Sequence, residues 1–168
     1  MKRFFVFTLT ALFVTTCLLL TSLSAERDRK ARVGDGMMDF VWGYSEVETS
    51  FNFPIAKSYH NIAVYNDSGL PGYRAAIPVR YYYDLESEVL GPDEKERKKG
   101  DSNHGDVEAR SSWGLTKTYT HNMRGAPAGD YTIVASSDLT VKVDLNGDGN
   151  PETSDGWDTS TSTDFDIE

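Results

Sequence analysis

Ile77-Pro78-Val79-Arg80-Tyr81-Tyr82-Tyr83-Asp84-Leu85-Glu86 is the stretch that decides the fold. In an extended chain Ile77, Val79, Tyr81, Tyr83 and Leu85 share one side, and Pro78, Arg80, Tyr82, Asp84 and Glu86 the other. That period of two marks a strand with one wet face and one dry face. Working outward, Val47, Phe51, Phe53 and Ile55 alternate in the same way with Glu46, Glu48, Ser50 and Asn52. Shorter runs of this kind cover His60 to Asn66, Ser112 to His121, Tyr131 to Ser136 and Leu139 to Leu145. At the end, Trp157, Thr159, Thr161, Thr163, Phe165 and Ile167 alternate with polar residues. β-Branched and aromatic side chains fill these runs, as a pleated surface favours. No long segment keeps a helical period, with one helical turn at most over Leu85 to Val89. Strand after strand with turns between predicts an all-β, antiparallel β-sandwich.

Glycine and proline punctuate the chain at Asn66-Asp67-Ser68-Gly69-Leu70-Pro71-Gly72 and at Arg124-Gly125-Ala126-Pro127-Ala128-Gly129-Asp130. Residues 91–106 and 26–36 lack apolar anchors, so burial cannot offset their ordering entropy. The first reads as a mobile charged loop and the second as an exposed lead-in, leaving one domain over residues 37–168. The segment Pro127-Ala128-Gly129-Asp130-Tyr131-Thr132-Ile133-Val134-Ala135 resembles a late strand of immunoglobulin-like sandwiches, in which a small-residue turn leads into a strand that starts near a tyrosine. The resemblance implies an immunoglobulin-like arrangement; a jelly roll or small barrel is the other architecture open to such strands.

The N-terminus has the three parts of a cleavable signal peptide: basic Lys2 and Arg3, an apolar run from Phe4 to Leu20, and the small-residue segment Thr21-Ser22-Leu23-Ser24-Ala25. Residues 1–25 are therefore expected to direct export to a periplasm, cell surface or medium. An uncleaved signal or a lipid on Cys17 would be the only route to a membrane. Cys17 is the only cysteine, so cleavage leaves a chain that no disulfide can staple. Loss of Lys2 and Arg3 leaves 26 acids against 15 bases, a formal charge of −11. Nucleic acid and anionic membrane are poor partners for that surface.

Nine acids and one base, Lys142, lie in residues 138–168, and some of those acids have a spacing. Asp144-Leu145-Asn146-Gly147-Asp148-Gly149-Asn150-Pro151-Glu152-Thr153-Ser154-Asp155 carries oxygen-bearing side chains at its first, third, fifth, ninth and twelfth positions, with glycine at the sixth. Hard divalent cations want six to eight oxygens around a sharp turn. The segment resembles the EF-hand-type Asp-x-Asn-x-Asp-Gly calcium loop, here between strand-like flanks rather than helices. The resemblance implies calcium held by the side chains of Asp144, Asn146 and Asp148, the carbonyl of Asn150, Glu152 directly or through water, and Asp155 closing the ring. An Asn-Gly-Asp-Gly turn with solvated acids would explain the same residues without an ion.

No other motif carries chemistry. His60, His104 and His121 lack zinc-ligand spacing, and no Gly-x-Ser-x-Gly elbow or phosphate-binding glycine motif occurs. Among the aromatics Tyr82 points outward if Tyr81 and Tyr83 are core, which makes it the candidate for stacking on a ligand. Phe40, Trp42, Tyr44, Tyr65, Tyr73 and Trp113 are further rings. The expectation is a calcium-stabilised binding or structural module, not an enzyme, with a glycan or surface protein as partner. A carbohydrate-binding domain and a small secreted hydrolase are the alternatives.

Overall fold

The computed structural model describes residues 24–33 (by their backbone), 40–72 and 76–168. Eight strands run through them: β1 Ser24–Val33, β2 Val41–Asn52, β3 Ile55–Asn66, β4 Val79–Leu90, β5 Lys98–Val107, β6 Ser111–Asn122, β7 Gly129–Val143 and β8 Thr153–Ile167. They build two four-stranded antiparallel sheets in the orders β1-β2-β3-β6 and β5-β4-β7-β8. Side chains of β2 and β3 reach across to β7 and β8, so the sheets stack as a sandwich. No helix among the described residues is long and apolar enough to cross a membrane.

The alternation in the opening stretch has its expected result. Val79, Tyr81, Leu85 and Val89 of β4 face the interior, while Arg80 and Asp84 are exposed. The interior itself is divided. One apolar core holds Phe40, Val41, Ile62, Leu85, Leu139 and Trp157 among others; a second holds Phe51, Met123, Tyr131, Ile133, Phe165 and Ile167. Between them a polar seam crosses the sandwich: Ser45 and Thr49 of β2, Ser58 and His60 of β3, Ser87 of β4, His121 of β6, Ser137 of β7, and Thr159 and Thr163 of β8, all buried.

A buried polar group is expensive unless bonded, and these are bonded. His60 Nδ1 lies 2.8 Å from Ser137 Oγ and its Nε2 lies 2.9 Å from Ser58 Oγ. Ser45 Oγ meets Thr159 Oγ1 at 2.8 Å, and Thr49 Oγ1 meets Thr163 Oγ1 at 2.8 Å. Ser87 Oγ lies 3.0 Å from His121 Nε2. Apart from the Ser58–His60 contact within β3, each of these joins the two sheets.

At the end holding the second core, the Tyr131 hydroxyl donates to the Pro127 carbonyl at 3.0 Å. Its ring stacks near Phe165 and covers Gly91, where an added Cβ would lie 2.1 Å from the ring.

Several expectations are corrected. Residues 26–36 are not a lead-in: most belong to β1, whose rungs run from Ser24 opposite Phe51 to Val33 opposite Trp42. Residues 91–106 are not a mobile loop, since β5 begins at Lys98 and pairs with β4 from Glu88 to Val79. Both are edge strands, held by a backbone ladder that needs no apolar run. Lys98 and Asp106 pair with Glu86 and Arg80 of β4, each at 2.9 Å, and Asp101 with Lys117 of β6, also at 2.9 Å. Before β5, the Arg97 guanidinium grips both oxygens of Asp93 and, with that bond leading, holds its carboxyl down at about 2.

Leu85 to Val89 continues β4 without a helical turn. The runs Tyr131 to Ser136 and Leu139 to Leu145 are, up to Val143, one strand. Phe53, expected beside Val47 and Phe51, is 58% exposed because β2 stops at Asn52. Of the expected signal peptide over residues 1–25, residues 1–23 with Cys17 lie outside the described residues, as do residues 34–36 of the expected lead-in, while Ser24 and Ala25 open β1.

Candidate metal centre

β7 and β8 are a long antiparallel hairpin, fifteen residues a side, with Val143 opposite Thr153 at the turn end. Glu152 N donates to the Val143 carbonyl at 3.1 Å and closes the loop that follows. The chain reverses inside that loop with left-handed backbone at Gly147 (φ 77°) and Gly149 (φ 90°), which only glycine adopts without steric penalty.

Asp144 organises the turn. Its Oδ1 accepts the Gly147 N–H at 2.7 Å and its Oδ2 accepts the Gly149 N–H at 2.6 Å. Partial desolvation alone would raise its carboxyl pKa; the hydrogen bonds from Gly149, Gly147, Asp148 and Asn146 outweigh it and hold the group below the ordinary value. Asn146 Oδ1 accepts the Asp148 N–H at 2.8 Å, and its Nδ2 donates to Asp148 Oδ2 at 3.2 Å. Asp148 Oδ1 accepts the Asn150 N–H at 2.8 Å, while Glu152 Oε2 accepts the Leu145 N–H at 2.6 Å.

The outcome is a cluster: one oxygen from each of Asp144, Asp148 and Glu152 lies within 4.8 Å of the other two. Three carboxylates that close repel one another unless a cation or proton intervenes. Each oxygen that accepts one N–H keeps a second lone pair for a cation. The donor set is hard oxygen throughout, with Asn146 Oδ1 and backbone carbonyls as further donors, and it fits calcium better than a soft transition metal.

Asp155 is not part of the cluster. It is a residue of β8, opposite Val141, and its Oδ1 accepts the N–H of Gly156 at 2.8 Å. An EF-hand's exiting helix would return the twelfth residue to the ion, whereas here the strand begins at Thr153 and carries Asp155 along the ladder. Asn150 sits in the loop with its side chain exposed.

Tyr82 lies on the outer face of the second sheet, as its register requires. His104 stacks against it with ring centroids 5.7 Å apart, and Lys142 Nζ lies 4.9 Å from the ring centre. On the outer face of the other sheet Trp42 and Tyr65 stack at 3.7 Å, nearly parallel, with Trp42 37% exposed and its Nε1 donating to Asp67 Oδ2 at 3.2 Å.

Sequence reasoning missed the histidine seam. Burial pushes His60 down to about 4; burial first, then the positive charges of Lys99 and Arg97, pushes His121 down to about 4 as well. The signal was present, since His60 shares the inward register of β3 with Ala56, Ile62 and Val64. The Ser–His contacts are sealed from solvent, with His60 0% and His121 4% exposed, so they offer no nucleophile to a substrate.

No family model and no curated protein sequence matches the chain. Among solved structures it is similar to a protein from Archaeoglobus fulgidus, at 9% identity and a TM-score of 0.32, over 88% of this chain and 98% of that one. It is also similar to a Northeast Structural Genomics Consortium target, at 5% identity and a TM-score of 0.30, over 84% and 85%. At that level of agreement neither likeness bears on function.

Proposed function

We propose that this chain is an exported, immunoglobulin-like β-sandwich that calcium stabilises at the tip of its last hairpin, and that it serves as a binding or structural module outside the cytoplasm. The three-carboxylate cluster of Asp144, Asp148 and Glu152 carries the calcium reading. Asn146 and the Asn150 carbonyl would complete the coordination with water, and Asp155 drops out of the ligand set. With three carboxylates and no paired second site, an affinity of about 10⁻⁴ M is expected, within the range of extracellular modules. At about 1 mM calcium such a site stabilises the fold by roughly 1.4 kcal/mol.

Two features support the immunoglobulin-like reading. β3 lies beside β6 and β4 beside β7, as strands B and E, and C and F, do in that sandwich. The bond from Tyr131 to Pro127 has the form of a tyrosine corner at the start of the penultimate strand. Export rests on the basic, apolar and small-residue segments of residues 1–25.

Calorimetric titration with calcium, beside an Asp144→Ala/Asp148→Ala double variant, tests the reading. Heat of binding and a higher melting temperature are expected in the parent alone. Identical melting in calcium and in chelator would end it.

The Trp42–Tyr65 pair favours a second reading, a glycan partner seated on the outer face of β2 and β3, because a fixed and partly exposed aromatic stack suits the apolar face of a sugar. Binding on a glycan array that disappears in Trp42→Ala supports it; a blank array removes it.

A further inference from the structure

The outer face of the first sheet holds a pocket that neither the carboxylate loop nor the Trp42–Tyr65 pair accounts for. Glu48 and Ser50 of β2, Lys57 and Tyr59 of β3 and Thr118 of β6 line it, and its volume of about 290 Å³ is at the small end of ligand sites. Register explains the grouping. Glu48 lies opposite Tyr59, Ser50 opposite Lys57 and Tyr59 opposite Thr118, so all five project from one face. The lining is one aromatic ring, two hydroxyls and one charge of each sign. Tyr65 lies six residues further along β3 on the same face, which puts the Trp42–Tyr65 stack about 20 Å from Tyr59. Between the two aromatic positions the surface is low and polar. Ala63 lies opposite Gly114, and beside them the Tyr44 and Thr116 hydroxyls both donate to Asn61 Oδ1, at 3.2 and 3.3 Å. Asn61 Nδ2 in turn donates to Glu46 Oε2 at 3.4 Å, so the row is fixed in place.

We propose that this face binds one linear, uncharged polysaccharide of extended β-1,4-linked sugars, lying along β3 with one sugar on the Trp42–Tyr65 stack and another in the Tyr59 pocket. The inference rests on the glycan reading of that stack and adds to it a second contact point, a direction for the ligand and its lack of charge. An extended sugar ribbon offers C–H faces to aromatic rings and hydroxyl edges to polar side chains. A hydroxyl can donate to the Glu48 carboxylate and accept from the Lys57 ammonium, and the exposed Thr116 hydroxyl keeps lone pairs for a donor on the ligand. With their charges cancelling, Glu48 and Lys57 give an acidic ligand no net attraction, and the formal charge of −9 on the chain repels polyanions. A protein partner would want a dry apolar centre, whereas the centre of this face is the hydrogen-bonded Asn61 row. One sugar can meet only one of the two aromatic positions. A chain long enough to reach both makes the second contact intramolecular and gains affinity from it.

The test is calorimetric titration of the purified chain, in chelator, with cello-, xylo- and manno-oligosaccharides from disaccharide to hexasaccharide. At least one of these series should bind, with affinity rising roughly tenfold from the shortest member to the longest, below the ~10²-fold or more that joined contacts can add. Tyr59→Ala, with its fold checked by circular dichroism, should bring the hexasaccharide down to the affinity of the disaccharide and leave the disaccharide unchanged. Trp42→Ala should weaken both. A parent affinity that does not change with length overturns the proposal and needs no variant. Parent-like hexasaccharide binding in Tyr59→Ala overturns it as well. Either result leaves the single contact at Trp42–Tyr65 standing. An oligogalacturonate series that binds more tightly than the uncharged ones also overturns the proposal. Absence of binding in every series overturns it together with the glycan reading on which it rests.

Discussion

Acid should loosen this sandwich at a pH where its carboxylates are still ionised, because the two seam histidines are buried neutral. Folding moves His60 and His121 from 6.5 to about 4 each. A depressed histidine leaves the unfolded chain holding more protons between those values. The stability associated with it is thus whole above about pH 6.5 and drains as pH falls toward about 4. At about pH 5 the linkage relation gives a loss of about 2 kcal/mol per histidine, about 4 kcal/mol together, out of a usual margin of ~5–15 kcal/mol. Among the described residues, no charge acting on either ring offsets this. His60 meets Ser58, Ser137 and the edge of Tyr119 at 5.3 Å, with Lys117 opposite it in register. His121 meets Ser87 and feels the cations Lys99 and Arg97. Urea titrations at about pH 7 and about pH 5, both in chelator, read the effect. The midpoint should fall at a constant slope, because the surface exposed on unfolding does not change. A His60→Gln/His121→Gln double variant should start lower at neutral pH and lose most of its dependence on acid. Coincident parent curves at the two pH values would refute the reasoning, as would a double variant that keeps the parent's full acid response.

Two further substitutions probe the frame. Tyr131→Phe removes the hydroxyl bonded to the Pro127 carbonyl and leaves the ring in the core. It should lower the urea midpoint at unchanged slope; an unchanged midpoint would mean the corner contributes nothing. Asp130 and Asp166 lie opposite each other on β7 and β8, and the hydrogen bond between them, ahead of their repulsion, raises the Asp166 carboxyl above its ordinary value. Folding therefore disfavours its ionised form. Asp166→Asn should raise the melting temperature at neutral pH, with the gain shrinking in acid, and a lower melting temperature would reverse that sign.

Strands with one dry face were legible because apolar residues recur every second position, and the inward row of β4 was read correctly down to Leu85. β1 and β5 were not, since an edge strand is held by its backbone ladder and needs no apolar row; Lys98 to Asp106 of β5 is polar or glycine at every position. β7 was split in two because Ser137, buried at the seam, breaks the apolar alternation between Ala135 and Leu139. In the loop, the spacing singled out Asp144, Asp148 and Glu152, one oxygen of each lying within 4.8 Å of the others. Asp155 does not join them, because the twelfth position takes its direction from the element that follows, here β8. A helix would bring the side chain back to the ion, and β8 leads it away.

The seam has a consequence for how the two sheets find each other. Grease alone tolerates sliding, since one aliphatic contact is nearly as good as the next. A row of hydroxyl and imidazole groups at mid-height does not: a shift of one strand past another would strand His60 and Ser137 against hydrocarbon. The seam works as an alignment key, rejecting near-miss stackings that two continuous oily layers would have accepted.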